Sequence, residues 1–157
     1  MRMAGGAVVA IVAAGMLGGC GSDEPAGPVV RSEQQAQADV DRYAEQTAAL
    51  IESPLTNAQV TTSACGAGRY SVQGVYRVPL WIRWQPRRRA TLRATWQAND
   101  MPITVDSSPD GWLGAIGTVT PDGYSIDVAS YSDPLPLALS LQVRSPCLQA
   151  PPGAARA

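Results

Sequence analysis

The 157-residue chain contains no lysine, no histidine and no phenylalanine, and all twelve of its basic residues are arginine. Each absence removes a class of chemistry. Without His there is no Ser-His-Asp or Cys-His arrangement within this chain. Without Lys there is no Schiff base, no Ser-Lys dyad and no phosphate-binding P-loop. Metal sites built from His or clustered Cys are excluded too, since only three cysteines exist and they lie far apart. Charge is sparse and balanced, at a net −1, which argues against nucleic acid or acidic substrates as partners. Long apolar runs are missing as well. The longest, Ala4 to Leu17, has 14 residues, short of the ~20 that span a bilayer as a helix.

The short motifs that remain are incomplete. Gly66-Ala67-Gly68 starts like a dinucleotide fingerprint but lacks its third Gly and precedes a strand. Asp106, Asp110 and Gly111 lack the further ligands of an EF-hand and read as a turn. Carboxylate pairs for glycoside hydrolysis could be drawn only from Asp100, Asp106, Asp110, Asp122, Asp127 and Asp133. All but Asp106 and Asp127 fall in apparent turns, where Asp serves the backbone. The sequence therefore assigns no catalytic residue, cofactor or metal, and the chain reads as a non-enzyme.

What is present is ordered simply. Ser32 to Ser53 predicts a helix: Ser32 and Gln35 form a capping box, and Pro54 ends the element. Val40, Tyr43, Ala44, Thr47, Leu50 and Ile51 recur at helical spacing and predict its buried face. Cys65 opens the next element. Tyr70, Val72, Gly74, Tyr76 and Val78 alternate with polar residues as in a half-buried strand, with a continuation through Leu80 to Trp84. Pro86 to Asn99 predicts a second helix anchored by Leu92 and Trp96. Its first turn carries Arg87, Arg88 and Arg89, which oppose the helix dipole. Short strands are expected at 102–106, 112–119, 124–129 and 137–144. The Pro109-Asp110-Gly111 and Pro121-Asp122-Gly123 turns imply an antiparallel meander.

Leu17-Gly18-Gly19-Cys20 resembles the lipobox of bacterial lipoproteins, with Leu three before Cys and two small residues between. The resemblance implies that residues 1–19 are a cleaved signal peptide and that Cys20 receives a diacylglyceryl group. It further implies a chain anchored in the cell membrane on the extracytoplasmic face. Discarding residues 1–19 removes Arg2, so the mature net charge becomes −1 − 1 = −2. Residues 20–31 then form the lipidated Cys and a flexible tether. The eleven residues from Gly21 to Arg31 span roughly 18 Å as a coil and at most roughly 35 Å extended. Residues 32–148 make one domain, and 149–157, rich in Pro, Gly and Ala, a disordered tail. Assigning Cys20 to lipid leaves Cys65 and Cys147, which outside the cytoplasm are expected to form a disulfide. A loop that long corresponds to roughly 4–5 kcal/mol in the chain-entropy picture.

One stretch is locally unusual. Trp81, Arg83, Trp84, Arg87, Arg88, Arg89 and Arg93 form a cationic, aromatic patch. Arg pairs bidentately with phosphate or carboxylate, and Trp favours the membrane interface. With so short a tether, its expected target is anionic lipid headgroups, a wall polymer or an envelope protein. The competing reading is a solvated basic turn with one Trp in the core.

The expected fold is α+β: a two-layer sandwich, an antiparallel sheet of four to five strands with two helices on one face. Element order, together with Leu17 to Cys20, Cys65-Gly66, Pro121-Asp122-Gly123 and Ser145-Pro146-Cys147, is similar to small actinobacterial lipoproteins of uncharacterised function. The expected role is a membrane-anchored binding or accessory protein at the cell envelope. The alternative is a carrier or sensor of a small hydrophobic or lipidic ligand held between helices and sheet. A carboxylate-based cell-wall glycan hydrolase is the third reading.

Overall fold

A computed structural model describes residues 29–79, 86–107, 114–130 and 138–153. Helix α1 runs Glu33–Leu50 and opens on the expected capping box. The Gln35 backbone N–H donates to Ser32 Oγ at 3.2 Å, and the Ser32 N–H donates to Gln35 Oε1 at 3.0 Å. Two otherwise orphaned donors are thus satisfied. Ala36, Val40, Ala44, Thr47 and Ala48 form its buried stripe, with Ile51 just beyond, while Tyr43 and Leu50 are partly buried. The helix ends where Glu52 turns to φ 52°, two residues before Pro54.

Seven strands follow: β1 Thr56–Gly66, β2 Arg69–Pro79, β3 Ile103–Ser107, β4 Ala115–Val119, β5 Ser125–Ser130, β6 Ala138–Arg144 and β7 Leu148–Gln149. Helix α2, Pro86–Ala98, lies between β2 and β3 in the chain. The sheet is antiparallel and not closed, in the order β1-β2-β6-β5-β4-β3, with β7 pairing β2 beside β6. The fold is α+β as expected, and β3 to β6 form the predicted meander. At its described turn Gly123 takes φ 88°, and Thr120 and Tyr124 close the corner through a 2.8 Å backbone bond.

The sheet has more strands than the four to five expected. β7 is two residues long, and β1 left no alternation to find. Of the eleven residues in β1 only Cys65 is even partly buried, so neither of its faces needs apolar side chains. Cys65 lies near the end of this strand and does not open the next element. Gln149, assigned to the tail, belongs to β7. The suggested continuation of β2 through Leu80–Trp84 and the Pro109–Gly111 turn lie outside the described residues.

Register explains where the core sits. Tyr76 pairs with Leu141, Leu141 with Val128, and Val128 with Ile116, so one row crosses four strands on a single face. All four are buried, and with Val72, Val78, Ile126, Leu139 and Val143 they meet α1 and α2 in one cluster. α1 packs against β2 and β6, and α2 against β3, β4 and α1. Gly74 lets α1 approach β2 closely: a Cβ there would stand 2.6 Å from Val40 Cγ1 and 2.6 Å from the Tyr76 hydroxyl.

The pairing also orders the two ends of the sheet. Val30 bridges Gln149, which pairs with Arg69, so the N-terminal segment enters at the end that carries the β1–β2 turn. The start of α2 lies at the opposite end, beside Ile51, Asp106 and Ala115.

Candidate functional site

The arginines singled out in the sequence do not form a free patch among the described residues. Arg87 is exposed. Arg88 donates to the Ile51 carbonyl and to Glu52 Oε2, the latter at 2.9 Å, tying α2 to the end of α1. Arg89 is only 9% exposed and donates to Asp106 and, at 2.9 Å, to the Ala115 carbonyl. Arg93 reaches the second oxygen of Asp106. Two of the three cations that oppose the helix dipole are thereby explained: Arg88 and Arg89 fasten the helix to its neighbours, Arg89 from a buried position. Arg93 pulls the Asp106 carboxyl below the usual carboxylate range; burial works against this, and Arg89 adds to it. Trp81, Arg83 and Trp84 lie outside the described residues.

A second cluster, unforeseen in the sequence, joins α1 to the β4–β5 turn. Asp39 accepts from Arg31 at 3.0 Å, Arg42 at 3.0 Å and the Tyr124 hydroxyl at 3.2 Å. Tyr43 donates to Asp122 Oδ1 at 2.6 Å, and Thr120 Oγ1 donates to the same oxygen at 2.6 Å. The Tyr43 and Tyr124 rings lie 5.2 Å apart, and the Arg42 guanidinium sits 4.1 Å over Tyr43. Tyr76 donates to Asp41 at 2.6 Å, and Tyr70 to the Arg31 carbonyl at 2.7 Å. Burial raises the Tyr43, Tyr76 and Tyr124 phenols, which therefore act as neutral donors. Burial pushes Asp122 up, but bonds from Thr120 and Tyr43 outweigh it and hold the carboxyl low. Tyr76 and Tyr124 beside an otherwise apolar sheet face, with Asp41 and Asp39 on the helix that packs there, are the signal that would have revealed this network. Its chemistry is positional: Tyr70, Tyr76 and Tyr124 are spent on α1 or on the segment that leads into it, and Tyr43 of α1 is spent on the β4–β5 turn.

The two candidate carboxylates on described strands lie on opposite faces of the sheet. Among the described strand residues the acids are Asp106 and Asp127. Asp106 shares the helix-side row with Ile116, while Asp127 lies opposite Gly117 on the other face. Burial alone raises the Asp127 carboxyl, and its oxygen lies where a side chain at position 117 would stand. Asp100 takes φ 56° in the turn after α2, as Asp in turns often does. Asp110 and Asp133 lie outside the described residues. No group of three metal-ligating side chains occurs among the described residues.

The two cysteines left over from the N-terminal motif are joined. Cys65 and Cys147, separated by 82 positions in sequence, form a disulfide with Cα atoms 5.9 Å apart. It fastens β1 to the segment between β6 and β7, across β2. No helix among the described residues is long and apolar enough to cross a membrane. No family model, curated protein or solved structure matches the chain, so a functional reading rests on its own residues.

Proposed function

We propose that the chain is a lipid-anchored extracytoplasmic protein that works as a binding or accessory component at the cell envelope. The observation that carries the reading is the cysteine pattern. Cys65 and Cys147 bond to each other, which leaves Cys20, at the end of Leu17-Gly18-Gly19-Cys20, as the one cysteine outside the pair. A disulfide favours an oxidising compartment, and a lone thiol at that position suits lipidation.

The N-terminal segment enters beside β7, at the end of the sheet that carries the β1–β2 turn. The start of α2 lies at the far end, roughly 36 Å away if measured along the eleven residues of β2. The flexible tether expected from the sequence lets either end turn to the bilayer, so lipid headgroups, a wall polymer and an envelope protein all stay within reach of Arg87. This reading goes with the two-layer, helices-on-one-face arrangement read for the domain.

The other two readings gain less support. A ligand between helices and sheet would need space where Gly74 already brings β2 against Val40. A glycan hydrolase needs two facing carboxyls, and Asp127 is the lone acid that the described strands place on its face. Replacing Cys20 tests the proposal: Cys20→Ala should move the protein from the membrane to the soluble fraction. Retention in the membrane would contradict the anchor.

A further inference from the structure

We propose that the β1 edge is a self-pairing surface, through which two copies of this chain join their sheets antiparallel about the Val60–Ser63 stretch. The inference does not depend on the lipid anchor.

Three observations carry it. First, β1 ends the strand order, and among the described residues its outer backbone N–H and C=O groups have no strand partner. Edges of this kind are normally guarded by charge, proline, shortness, a bulge or a cover, and of these β1 carries bulges, near its two ends. From Thr56 to Gly66 there is no charged residue and no proline, over eleven residues. Second, α1 packs mainly on β2 and β6 and reaches β1 at its first residue, Glu33, which accepts from Thr62 Oγ1 at 2.6 Å. Val60 is 38% exposed, and Thr61, Thr62 and Ser63 are exposed as well. A second sheet can therefore pair along these residues beside the start of α1. Third, the stretch is compatible with itself. An antiparallel two-fold brings no like charges across the join, and it sets the β-branched Val60, Thr61 and Thr62 against one another, the pairs that stabilise sheets. The bulges lie at its ends, between Thr56 and Gln59 and between Ala64 and Gly66, and leave Gln59 to Ala64 in regular register.

The opposite edge shows what a guarded strand looks like in the same molecule. β3 has five residues, a bulge between Ile103 and Val105, and Asp106 turned inward to two arginines of α2. An edge-to-edge contact without helix packing falls at the small end of protein interfaces. The dimer is accordingly expected to depend on concentration and to need trapping. Its two-fold axis stands perpendicular to the sheet, so the two N-terminal segments leave at opposite ends.

The experiment uses the full-length chain with Cys20→Ala and one added cysteine, at Val60→Cys, Thr61→Cys, Thr62→Cys or Ser63→Cys, oxidised and run without reductant. Val105→Cys on the β3 edge and the chain with no added cysteine, both carrying Cys20→Ala, serve as comparators. Residues facing each other across an antiparallel pair bring Cα atoms within about 4.5–5.5 Å, close enough for a disulfide. The expected result is a band of twice the chain mass, strongest at one or two of the four positions and absent from both comparators. Adding Gln59→Lys should abolish the band, while an intact Cys65–Cys147 bond shows that the domain still folds. Monomer at all four positions would overturn the proposal, as would equal crosslinking at Val105→Cys. A crosslinked band at another mass would overturn it too, by assigning the edge to a different protein.

Discussion

The two edges of the sheet are fastened in opposite ways. β3 is short and held from the side: α2 lies against it, and Arg89 and Arg93 both grip Asp106. β1 is twice as long, touches α1 through the Thr62–Glu33 bond, and is held by pairing with β2 and by the Cys65–Cys147 bond at one end. The contrast teaches that exposure of an edge is not a matter of its place in the fold. Both margins are bulged, but the same chain places a charge, Asp106, on one and leaves the strand of the other uncharged. A strand that buries neither face adds little hydrophobic stabilisation, so a covalent staple is an economical way to keep it in place.

Breaking that staple should have the largest effect. Replacing Cys65 and Cys147 with Ala is expected to cost about 2–4 kcal/mol, for a loop of 82 residues. Denaturant titration measures the cost, and β1 amides should lose exchange protection before those of β3. Equal loss on both edges would mean that the bond stabilises the whole domain and not its β1 margin.

Removing the charge on the other edge should cost less. Asp106→Asn leaves Arg89, 9% exposed, without its counter-charge, for about 1–2 kcal/mol, reduced because Asp106 itself is partly solvated. The pH dependence has a definite sign. Arg93 and then Arg89 hold the folded Asp106 carboxyl below its unfolded value, which is about 3.9. Its stabilisation is therefore full above that value and is lost as pH falls through the lower, folded one. The Asn variant should remove this acid-sensitive step.

Asp127, in the sheet interior, should behave in the opposite sense and more weakly. Burial raises its folded pKa, so the ionised carboxylate costs stability at neutral pH. That cost disappears as pH falls through the raised value. Asp127→Asn should thus stabilise slightly at pH 7, with a difference that vanishes in acid; destabilisation at pH 7 would show that the carboxylate has a positive role. Smallest of all should be Thr62→Val on β1. It removes one bond, from Thr62 Oγ1 to Glu33 at 2.6 Å, from an exposed site, and should change stability by no more than about 0.5 kcal/mol.

The same contrast accounts for what the sequence disclosed. Elements with one buried face declared themselves. α1 showed its stripe and capping box, α2 its Leu92 and Trp96, and β2 and β6 their period of two. The meander followed from turn chemistry, and the disulfide from cysteine parity. β1 stayed hidden because Thr-Asn-Ala-Gln-Val-Thr-Thr-Ser-Ala has no apolar side to alternate; its β-branched Val60, Thr61 and Thr62 were the sole local hint. The roles of Arg88, Arg89 and Arg93 were hidden for another reason. Their partners Ile51, Glu52, Asp106 and Ala115 stand between 13 and 37 residues away, and only tertiary packing brings them together. A run of arginines that looked like a binding patch is, at three of its described positions, a set of internal ties.

Amide hydrogen exchange at single-residue resolution, at low and high protein concentration, tests the difference between the edges most directly. The account predicts that amides within Gln59–Ser63 gain protection as concentration rises, while those of Ile103–Ser107 keep the same protection throughout. Protection on β1 that does not change with concentration, or that rises equally on both edges, would contradict it.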